Sequence, residues 1–421
     1  MPRRHLPVRP NLRQLKRQAK ELLREIRAGD SEALADLRAF HPEPLDPAEA
    51  KLNDAQLVLA RSYDAPSWPR LALACDLVAA IWRNDLSEVR QLVTKHPNLL
   101  HESALVRESN WGPPMSYAAN LGRDRIIRFL HGLGAEDQMH ALGRALLQGK
   151  LGTARLLHDL LGQPTPPRDA LEGPAYTLEP KATALVLELG GTVYDEYGQR
   201  LAPVDVVLET DSRKPEAKHA ILEMYVEHGL ALPDTPTMAL HRGRLDLLEE
   251  HLRRDPGLLG RTFTHEEIYP PEVGCHDEVL ATHGTPLAGA TLLHMCVDYD
   301  EVEIARWLLE QGMDPNAKAT VDAEGFGGHT ALFATVVSQP AYGVNCWKQR
   351  DSATFARMLL DRGADPNVRA SLRKQLHPGY DEHTLHEYRD VTPLSWGERF
   401  HRREFVSRAS MKLIAARGGM P

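Results

Sequence analysis

The stretch TLLHMCVDYDEVEIARWLLEQGMDPNA, residues 291–317, decides the fold. Its apolar residues recur at helical spacing in two short runs, so the pattern predicts two helices joined by a tight turn. Thr291 can cap the first helix, and His294 can bond the threonine hydroxyl or the neighbouring backbone. Asp300 stands at the turn, where aspartate is one of the few residues that enter the left-handed conformation. The stretch therefore predicts a helix–turn–helix unit.

The same pattern recurs along the chain. Because one helix pair cannot bury its apolar stripe alone, recurrence predicts a stack of pairs with a continuous core. The stretch at 165–232 matches the pattern poorly. The other copies lie at 77–93, 114–137, 141–161, 237–252, 329–337 resumed at 355–370, and from Val391 onward.

These units resemble the ankyrin repeat. The resemblance implies an all-α solenoid of stacked helix–turn–helix units, with roughly seven to nine repeats over residues 71–421. It also implies that the chain binds a protein partner and has no catalytic activity. The residues that match the repeat in register are Thr291, Leu293, His294, Leu308, Leu309, Gly312, Asp314 and Asn316, and again Thr330, Leu332, Leu359, Leu360, Gly363, Ala364, Asp365 and Asn367.

Residues 1–70 differ from the array and are predicted to form a helical cap. Asn11, Asp30, Asn53 and Ser67 are the predicted N-caps of four helices, and Gly29 is a predicted helix stop. This segment is similar to a short helical leader of bacterial ankyrin-repeat proteins, which implies a bacterial source.

Composition favours a cytoplasmic protein, and we expect it to be a monomer. The chain has 421 residues, 26% charged residues, a net charge of −8 and four cysteines without a Cys-x-x-Cys pair. The thiols are expected to be reduced. The N-terminal sequence lacks the apolar stretch of a signal peptide, and no apolar run approaches a membrane span.

A basic stretch at residues 3–27 offers a second function, nucleic-acid or acidic-surface binding. It carries nine Lys and Arg residues against Glu21 and Glu25. Apolar residues alternate with the charges at helical spacing, which favours a solvated outer face of a helix. We therefore expect no nucleic-acid partner and no membrane contact.

Three insertions interrupt the repeats, at 261–286, 338–352 and 371–389. In repeat arrays such insertions project together and often form the binding face. The insertion at 261–286 holds His, Cys and carboxylate side chains, which are ligands for zinc. Their spacing lacks the paired form of known zinc motifs, so we expect no metal and no cofactor. The potential ligands are His265, Glu266, Glu267, Cys275, His276, Asp277 and His283.

The other two insertions are the predicted contact surface, because aromatic and arginine side chains supply most of the binding energy at interfaces. A loop packed across the last two repeats and held by its tyrosines explains the 371–389 segment equally well. The candidate partner-binding residues are Tyr342, Trp347, Arg373, Lys374, His377, Tyr380, His383, His386 and Tyr388.

No sequence motif predicts an enzyme. Gly149-Lys150 is followed by Leu151, so a phosphate loop of the Gly-x-x-x-x-Gly-Lys-Ser/Thr type is absent from the sequence. Nucleophile-elbow and dinucleotide-binding glycine patterns are absent as well.

Overall fold

The computed structural model describes residues 4–102, 111–210, 212–275, 283–339, 352–376 and 384–421, with the backbone of 341–343 and 346–348. The chain forms two compact units, Met1–Thr165 and Pro166–Pro421. Every helix in the described ranges is too short or too polar to span a bilayer.

The first unit is built from helices. They are α1 (Leu12–Ala28), α2 (Ser31–Phe40), α3 (Leu52–Ser62), α4 (Trp68–Arg83), α5 (Leu86–Lys95), α6 (Pro114–Asn120), α7 (Asp124–Gly132), α8 (Gln138–Leu147) and α9 (Leu151–Leu160).

Side chains cap most of the leader helices as the sequence predicts. The Asn11 carboxamide oxygen accepts hydrogen bonds from the amides of Arg13 and Gln14, and Gly29 ends α1 at φ 79°. Asp30 caps α2, and Ser67 caps α4. Such caps satisfy amide groups that lack a partner in the first turn.

The predicted cap at Asn53 is wrong, because α3 begins one residue earlier, at Leu52. The Asp54 carboxylate accepts a hydrogen bond from the Lys51 amide at 2.7 Å. An acidic side chain inside the first turn therefore stabilises this helix start, a role that the sequence pattern did not separate from capping.

The second unit continues the helix pairs and adds two hairpins. Its helices are α10 (Glu172–Thr177), α11 (Pro180–Glu188), α12 (Val204–Glu209), α13 (Pro215–Glu227), α14 (Pro236–His241), α15 (Leu245–Arg254), α16 (His265–Ile268), α17 (Leu292–Tyr299), α18 (Val302–Glu310), α19 (Ala331–Val336), α20 (Thr354–Asp361), α21 (Pro393–Arg399) and α22 (Arg408–Ala416). Its strands are β1 (Ala341–Gly343), β2 (Cys346–Lys348), β3 (Ala370–Lys374) and β4 (His386–Val391).

The pair α17–α18 has the local structure that its sequence predicts. The Thr291 hydroxyl and His294 Nδ1 lie 2.9 Å apart, and Asp300 takes φ 66° at the turn. His294 Nε2 donates to the His329 carbonyl oxygen, 3.1 Å away, ahead of the next helix pair. This histidine therefore caps its own helix and also ties it to the following repeat.

Two asparagines join successive repeats at their turns. Asn316 donates to the Gly363 carbonyl oxygen at 3.0 Å and accepts from the Asp365 amide at 2.7 Å. One repeat later, Asn367 donates to the Gly418 carbonyl oxygen at 3.0 Å and accepts from the Met420 amide at 2.8 Å. The Asp-x-Asn turn thus connects neighbouring units by paired side-chain bonds.

The insertions at 338–352 and 371–389 contain antiparallel hairpins, β1–β2 and β3–β4, where the sequence predicts loops. The repeats themselves are all-α, as predicted. In β3 the buried side chains alternate with half-buried ones, so Leu372 and Lys374 point inward while Arg373 points outward. This period of two is the signature of a strand with one buried face.

A buried polar network lies among α13, α17 and the residues beside them. Arg213 and Asp298 form an ion pair at 3.0 Å, and their side chains are 3% and 1% exposed. Lys218 and Glu301 form a second pair at 2.9 Å, with both side chains 3% exposed. The Tyr299 hydroxyl donates to the Leu208 carbonyl oxygen at 2.9 Å. The network ties the poorly matching repeats at 165–232 to the well-matched one at 291–317.

Candidate partner-binding site

Backbone segments before the inner helices of successive repeats lie side by side in the second unit. The Phe263 amide donates to the Ala290 carbonyl oxygen at 2.8 Å, and the Thr320 amide donates to the Gly289 carbonyl oxygen at 2.8 Å. The Gly327 amide donates to the Ser371 carbonyl oxygen at 2.7 Å. We term residues 262–265, 286–290, 318–330 and 370–374 the finger strip.

Gly327 allows the finger at 318–330 to fold back on itself. Its φ is 120°, and a Cβ atom added there would lie 2.0 Å from the Thr320 carbonyl oxygen. Any side chain at this position would clash with backbone, so the close approach requires glycine.

The finger strip encloses a pocket of about 450 Å³, which we term the finger pocket. Ligand sites in proteins commonly have volumes of about 300–1,000 Å³. Phe263, Phe326 and Leu372 form buried apolar walls. The full lining comprises Thr262, Phe263, Thr264, His265, Pro286, Ala288, Gly289, Thr320, Asp322, Phe326, Gly327, His329, Leu372 and Arg373.

Three polar side chains in the pocket have fixed roles. The Thr320 hydroxyl donates to the Thr262 hydroxyl oxygen at 3.0 Å. His329 Nε2 donates to the Pro286 carbonyl oxygen at 2.9 Å, which leaves Nδ1 as the unprotonated nitrogen. Burial lowers the pKa of His329 to about 4, so the ring is neutral near pH 7.

Arg373 forms the charged rim of the pocket. Its guanidinium pairs with Asp322 at 2.8 Å and with Glu324, and it lies 4.9 Å from the centre of the Phe326 ring. The arginine is therefore held in place by two carboxylates and an aromatic ring. Beside this rim, Val321 is 57% exposed at the tip of the finger.

The predicted contact residues do not form one exposed patch. Arg373 lines the finger pocket, but Lys374 and Tyr388 are each only 5% exposed. The Tyr388 hydroxyl bonds His401 Nδ1 at 2.6 Å, and the His386 ring stacks on His401 at 3.9 Å. Lys374 and Tyr388 are thus buried within the chain, because the hairpin packs one face across the last repeat. The alternative interpretation of the 371–389 segment, a loop packed across the last two repeats and held by its tyrosines, describes Tyr388 better.

The remaining predicted contact residues cannot be placed as side chains. Tyr342 and Trp347 are register partners in the β1–β2 hairpin, and their side chains lie outside the described part of the structure. His377, Tyr380 and His383 also lie outside the described residues.

The potential zinc ligands of the 261–286 insertion that the structure describes do not come together as one metal site. Among the described residues, no group of three or more His, Cys, Asp or Glu side chains is arranged to hold a metal ion. His283 Nε2 accepts a hydrogen bond from the Leu287 amide at 3.3 Å, and burial raises the pKa of the Cys275 thiol. His276 and Asp277 lie outside the described residues.

Helix α1 buries its apolar face and exposes its cations. Leu15, Ala19, Leu22 and Ile26 are buried. The exposed basic side chains of this helix are Arg13, Lys16, Arg17, Lys20, Arg24 and Arg27. This is the arrangement expected of a surface helix with a solvated outer face.

Half of the pocket lining lies in the predicted insertions at 261–286 and 371–389, whereas the finger at 318–330 was not predicted from the sequence. One available signal was the spacing from Thr291 to Thr330, which is 39 residues against about 33 for an ankyrin step. The extra residues lie in the finger at 318–330, which carries Val321, Asp322 and Phe326. Phe263 and Leu372 lie in the predicted insertions, but the sequence does not mark them as pocket walls because neither belongs to the repeat pattern.

Residues 288–320 match the family model described as ankyrin repeat. This segment is an ankyrin repeat. It holds the α17–α18 pair, one side of the finger pocket and the first residues of the long finger. Ankyrin repeats generally act as protein-interaction modules and are typically non-enzymatic.

Two solved structures are similar to this chain. The human ASB11 ankyrin repeat domain is 14% identical, with a TM-score of 0.28, and the match covers 73% of this chain and 99% of that one. The ankyrin repeat domain of Bcl-3, described as a unique member of the IkappaB protein family, is 16% identical, with a TM-score of 0.22. That match covers 65% of this chain and 97% of the Bcl-3 domain. A search of curated proteins gave no significant match.

Two buried histidines, His294 within the ankyrin repeat and His329 just after it, predict a loss of stability in mild acid. Burial lowers the pKa of His294 to about 3 and that of His329 to about 4, while unfolded histidine titrates near 6.5. The stability that these neutral histidines contribute is fully present above about pH 6.5. It is lost as the pH falls from there towards 4, because only the unfolded state then binds the proton. We expect the free energy of unfolding to fall by up to about 1.4 kcal/mol per pH unit for each histidine.

Urea titrations at several pH values between 7 and 4 measure this dependence. His329→Gln should make it shallower, while His228→Gln, at an exposed position, should leave it unchanged. If the free energy of unfolding had the same pH dependence in wild type and His329→Gln, His329 would not be a cause of that dependence.

Proposed function

We propose that this chain is a non-enzymatic protein-interaction scaffold whose partner docks on the finger strip and the adjacent insertions. In this proposal the protein is a cytoplasmic monomer of bacterial origin and uses no cofactor. The observation that carries the proposal is an exposed aliphatic side chain, Val321, beside a rigid charged rim and a pocket.

The arrangement has the parts of a binding hot spot. Hot spots join an apolar or aromatic centre to arginine and to a shaped pocket. Val321 supplies exposed apolar surface, and Arg373 is already fixed by Asp322 and Glu324. A preformed surface of this kind lowers the entropic cost of association.

Val321→Asp should remove partner binding while leaving the fold intact. The substitution places a carboxylate at the centre of the proposed interface, next to Asp322 and Glu324, at a side chain that is 57% exposed. Tagged wild type and variant are used to capture proteins from nuclease-treated lysate of the source organism, and captured proteins are identified by mass spectrometry. A partner that wild type captures should be at least about tenfold depleted with the variant.

Leu133→Asp is the matched control, since Leu133 is also an exposed aliphatic residue, at 45%, but lies in the first unit. It should capture the partner as wild type does. Equal capture by Val321→Asp and wild type would reject the finger strip as the docking surface.

The exposed cations of α1 make nucleic-acid binding the second candidate. Recovery of material that disappears on nuclease treatment would favour it. Such binding should weaken steeply with salt and after substitution of Arg13, Lys16, Arg17 and Lys20 by serine, because phosphate contacts release counterions.

A further inference from the structure

We propose that the first unit contains a peptide groove that binds a cationic segment of a protein partner. In the structure this groove is occupied by residues 4–10, which we term the N-terminal arm. The proposal goes beyond the docking surface proposed above, because the arm lies in the first unit and the finger strip in the second. It follows from the contacts of the arm and from how few hydrogen bonds hold it.

The arm is anchored by apolar side chains. Leu6 is 2% exposed although the arm contains no helix or strand, and Pro10 is buried as well. His5 and Pro7, on either side of Leu6, are exposed. One aliphatic side chain is therefore inserted into the unit while its neighbours face solvent, which is how an irregular peptide docks on a preformed groove.

An aromatic cluster lies against the second half of the arm. The Trp82 and Trp111 rings stack with their centres 5.3 Å apart, and Trp111 contacts the Tyr117 ring at 5.7 Å. The Arg9 guanidinium lies 5.0 Å from the centre of the Trp82 ring. The Tyr117 hydroxyl donates to the Val8 carbonyl oxygen at 3.1 Å. Because a tryptophan face attracts a cation, this end of the groove favours arginine.

A carboxylate receives the other end of the arm. The Arg4 guanidinium pairs with Asp36 at 2.7 Å, and the Asp36 side chain is only 14% exposed. The Arg4 amide donates to the Ser62 carbonyl oxygen at 2.9 Å. Charge-assisted bonds to a half-buried carboxylate are stronger than neutral ones. The groove is therefore complementary to a segment of the form Arg-x-Leu-x-x-Arg-Pro.

The arm can leave the groove without unfolding the helices behind it. Among residues 4–10, only the Arg4 amide has an acceptor in the described part of the chain. Helix α1 has its own cap, because the Asn11 side chain accepts from the amides of Arg13 and Gln14. Segments with few backbone hydrogen bonds detach at a much lower free energy than that of global unfolding. The arm is thus a replaceable occupant.

A partner segment is favoured over the arm of a second copy. An identical arm from another copy would make only the contacts that the tethered arm already makes, and it would lose the advantage of being attached to the same chain. A partner segment with the same residues can add contacts of its own outside the groove. Only such a ligand gains free energy by displacing the arm.

A labelled peptide tests the groove. The peptide RHLPVRP, residues 4–10 with a fluorophore, is titrated against full-length wild type and Leu6→Asp, and binding is followed by fluorescence anisotropy. Leu6→Asp should release the arm, because docking would bury an unpaired carboxylate. The peptide should bind this variant at least about tenfold more tightly than wild type, in which the tethered arm competes at an effective concentration on the order of millimolar. His5→Asp adds the same charge at an exposed position of the arm and should bind the peptide as wild type does.

Arg9→Ala provides a second test at an exposed position, where the fold is not at risk. It should bind the peptide about two- to fivefold more tightly than wild type, because its own arm has lost the contact with Trp82. If neither Leu6→Asp nor Arg9→Ala bound the peptide more tightly than wild type, the proposal would be overturned. Light scattering that showed a wild-type dimer, converted to a monomer by Leu6→Asp, would also overturn it, because the groove would then hold the arm of a second copy.

Discussion

Glu301→Gln should lower the free energy of unfolding of the second unit by about 3–5 kcal/mol, the usual cost of removing one member of a buried ion pair. Lys218 Nζ lies 2.9 Å from the Glu301 carboxylate, and both side chains are 3% exposed. His219 Nε2 also contacts that carboxylate, at 2.8 Å. Without the Glu301 carboxylate, the Lys218 ammonium would remain in a low-dielectric site with no compensating negative charge.

Urea unfolding, followed by hydrogen exchange of amides in α13 and α17, measures this loss. The double variant Lys218→Met/Glu301→Leu should recover most of it, because the desolvation penalty disappears together with the attraction. The surface variant Glu303→Gln breaks a pair whose carboxylate is 74% exposed, and it should change stability little. A Glu301→Gln variant as stable as wild type would contradict the prediction, because it would show that the buried Lys218 ammonium does not depend on the Glu301 charge.

Trp396→Ala should cost about 3–5 kcal/mol, the range for removing a large aromatic side chain from a core. Trp396 is completely buried and meets Tyr388 and Phe400 edge-on, with ring centres 4.8 and 4.9 Å away. Its indole N–H donates to the Thr285 hydroxyl oxygen at 3.2 Å. The alanine substitution would leave a cavity where the β3–β4 hairpin packs on the last repeat.

Thermal and urea unfolding of Trp396→Ala and Trp396→Phe separate packing from hydrogen bonding. The phenylalanine variant keeps an aromatic ring against Tyr388 and Phe400, so it should retain most of the stability. If both variants lost stability equally, the indole hydrogen bond rather than packing would be the dominant contribution.

The helix pairs could be predicted because their causes are local. Thr291, His294 and Asp300 act within their own helix or turn, and the structure gives each the predicted role. The left-handed turns and the side-chain caps likewise depend on neighbours within a few residues. The exception is Asn53: the helix begins at Leu52, and its start is stabilised by the Asp54 carboxylate, which accepts from the Lys51 amide.

The pocket and the buried ion pairs could not be predicted because their causes are not local. Lys218 and Glu301 are far apart in sequence, and each alone has the character of an ordinary surface residue of a helix. The same holds for Lys374, whose burial follows from the register of β3 with β4. A single sequence records residue types but not which of them the stacking of repeats brings together.

The asparagine bonds between successive turns have a consequence for how this chain can change over evolution. Asn316 and Asn367 make the same pair of bonds to the next repeat, although a different insertion lies within each intervening stretch. Neighbouring units are therefore held at their turns by bonds that do not involve the inserted segments. Lengthening, shortening or exchanging an insertion can alter recognition while the joints between repeats stay in place. New specificity can thus arise at the hairpins without a new scaffold.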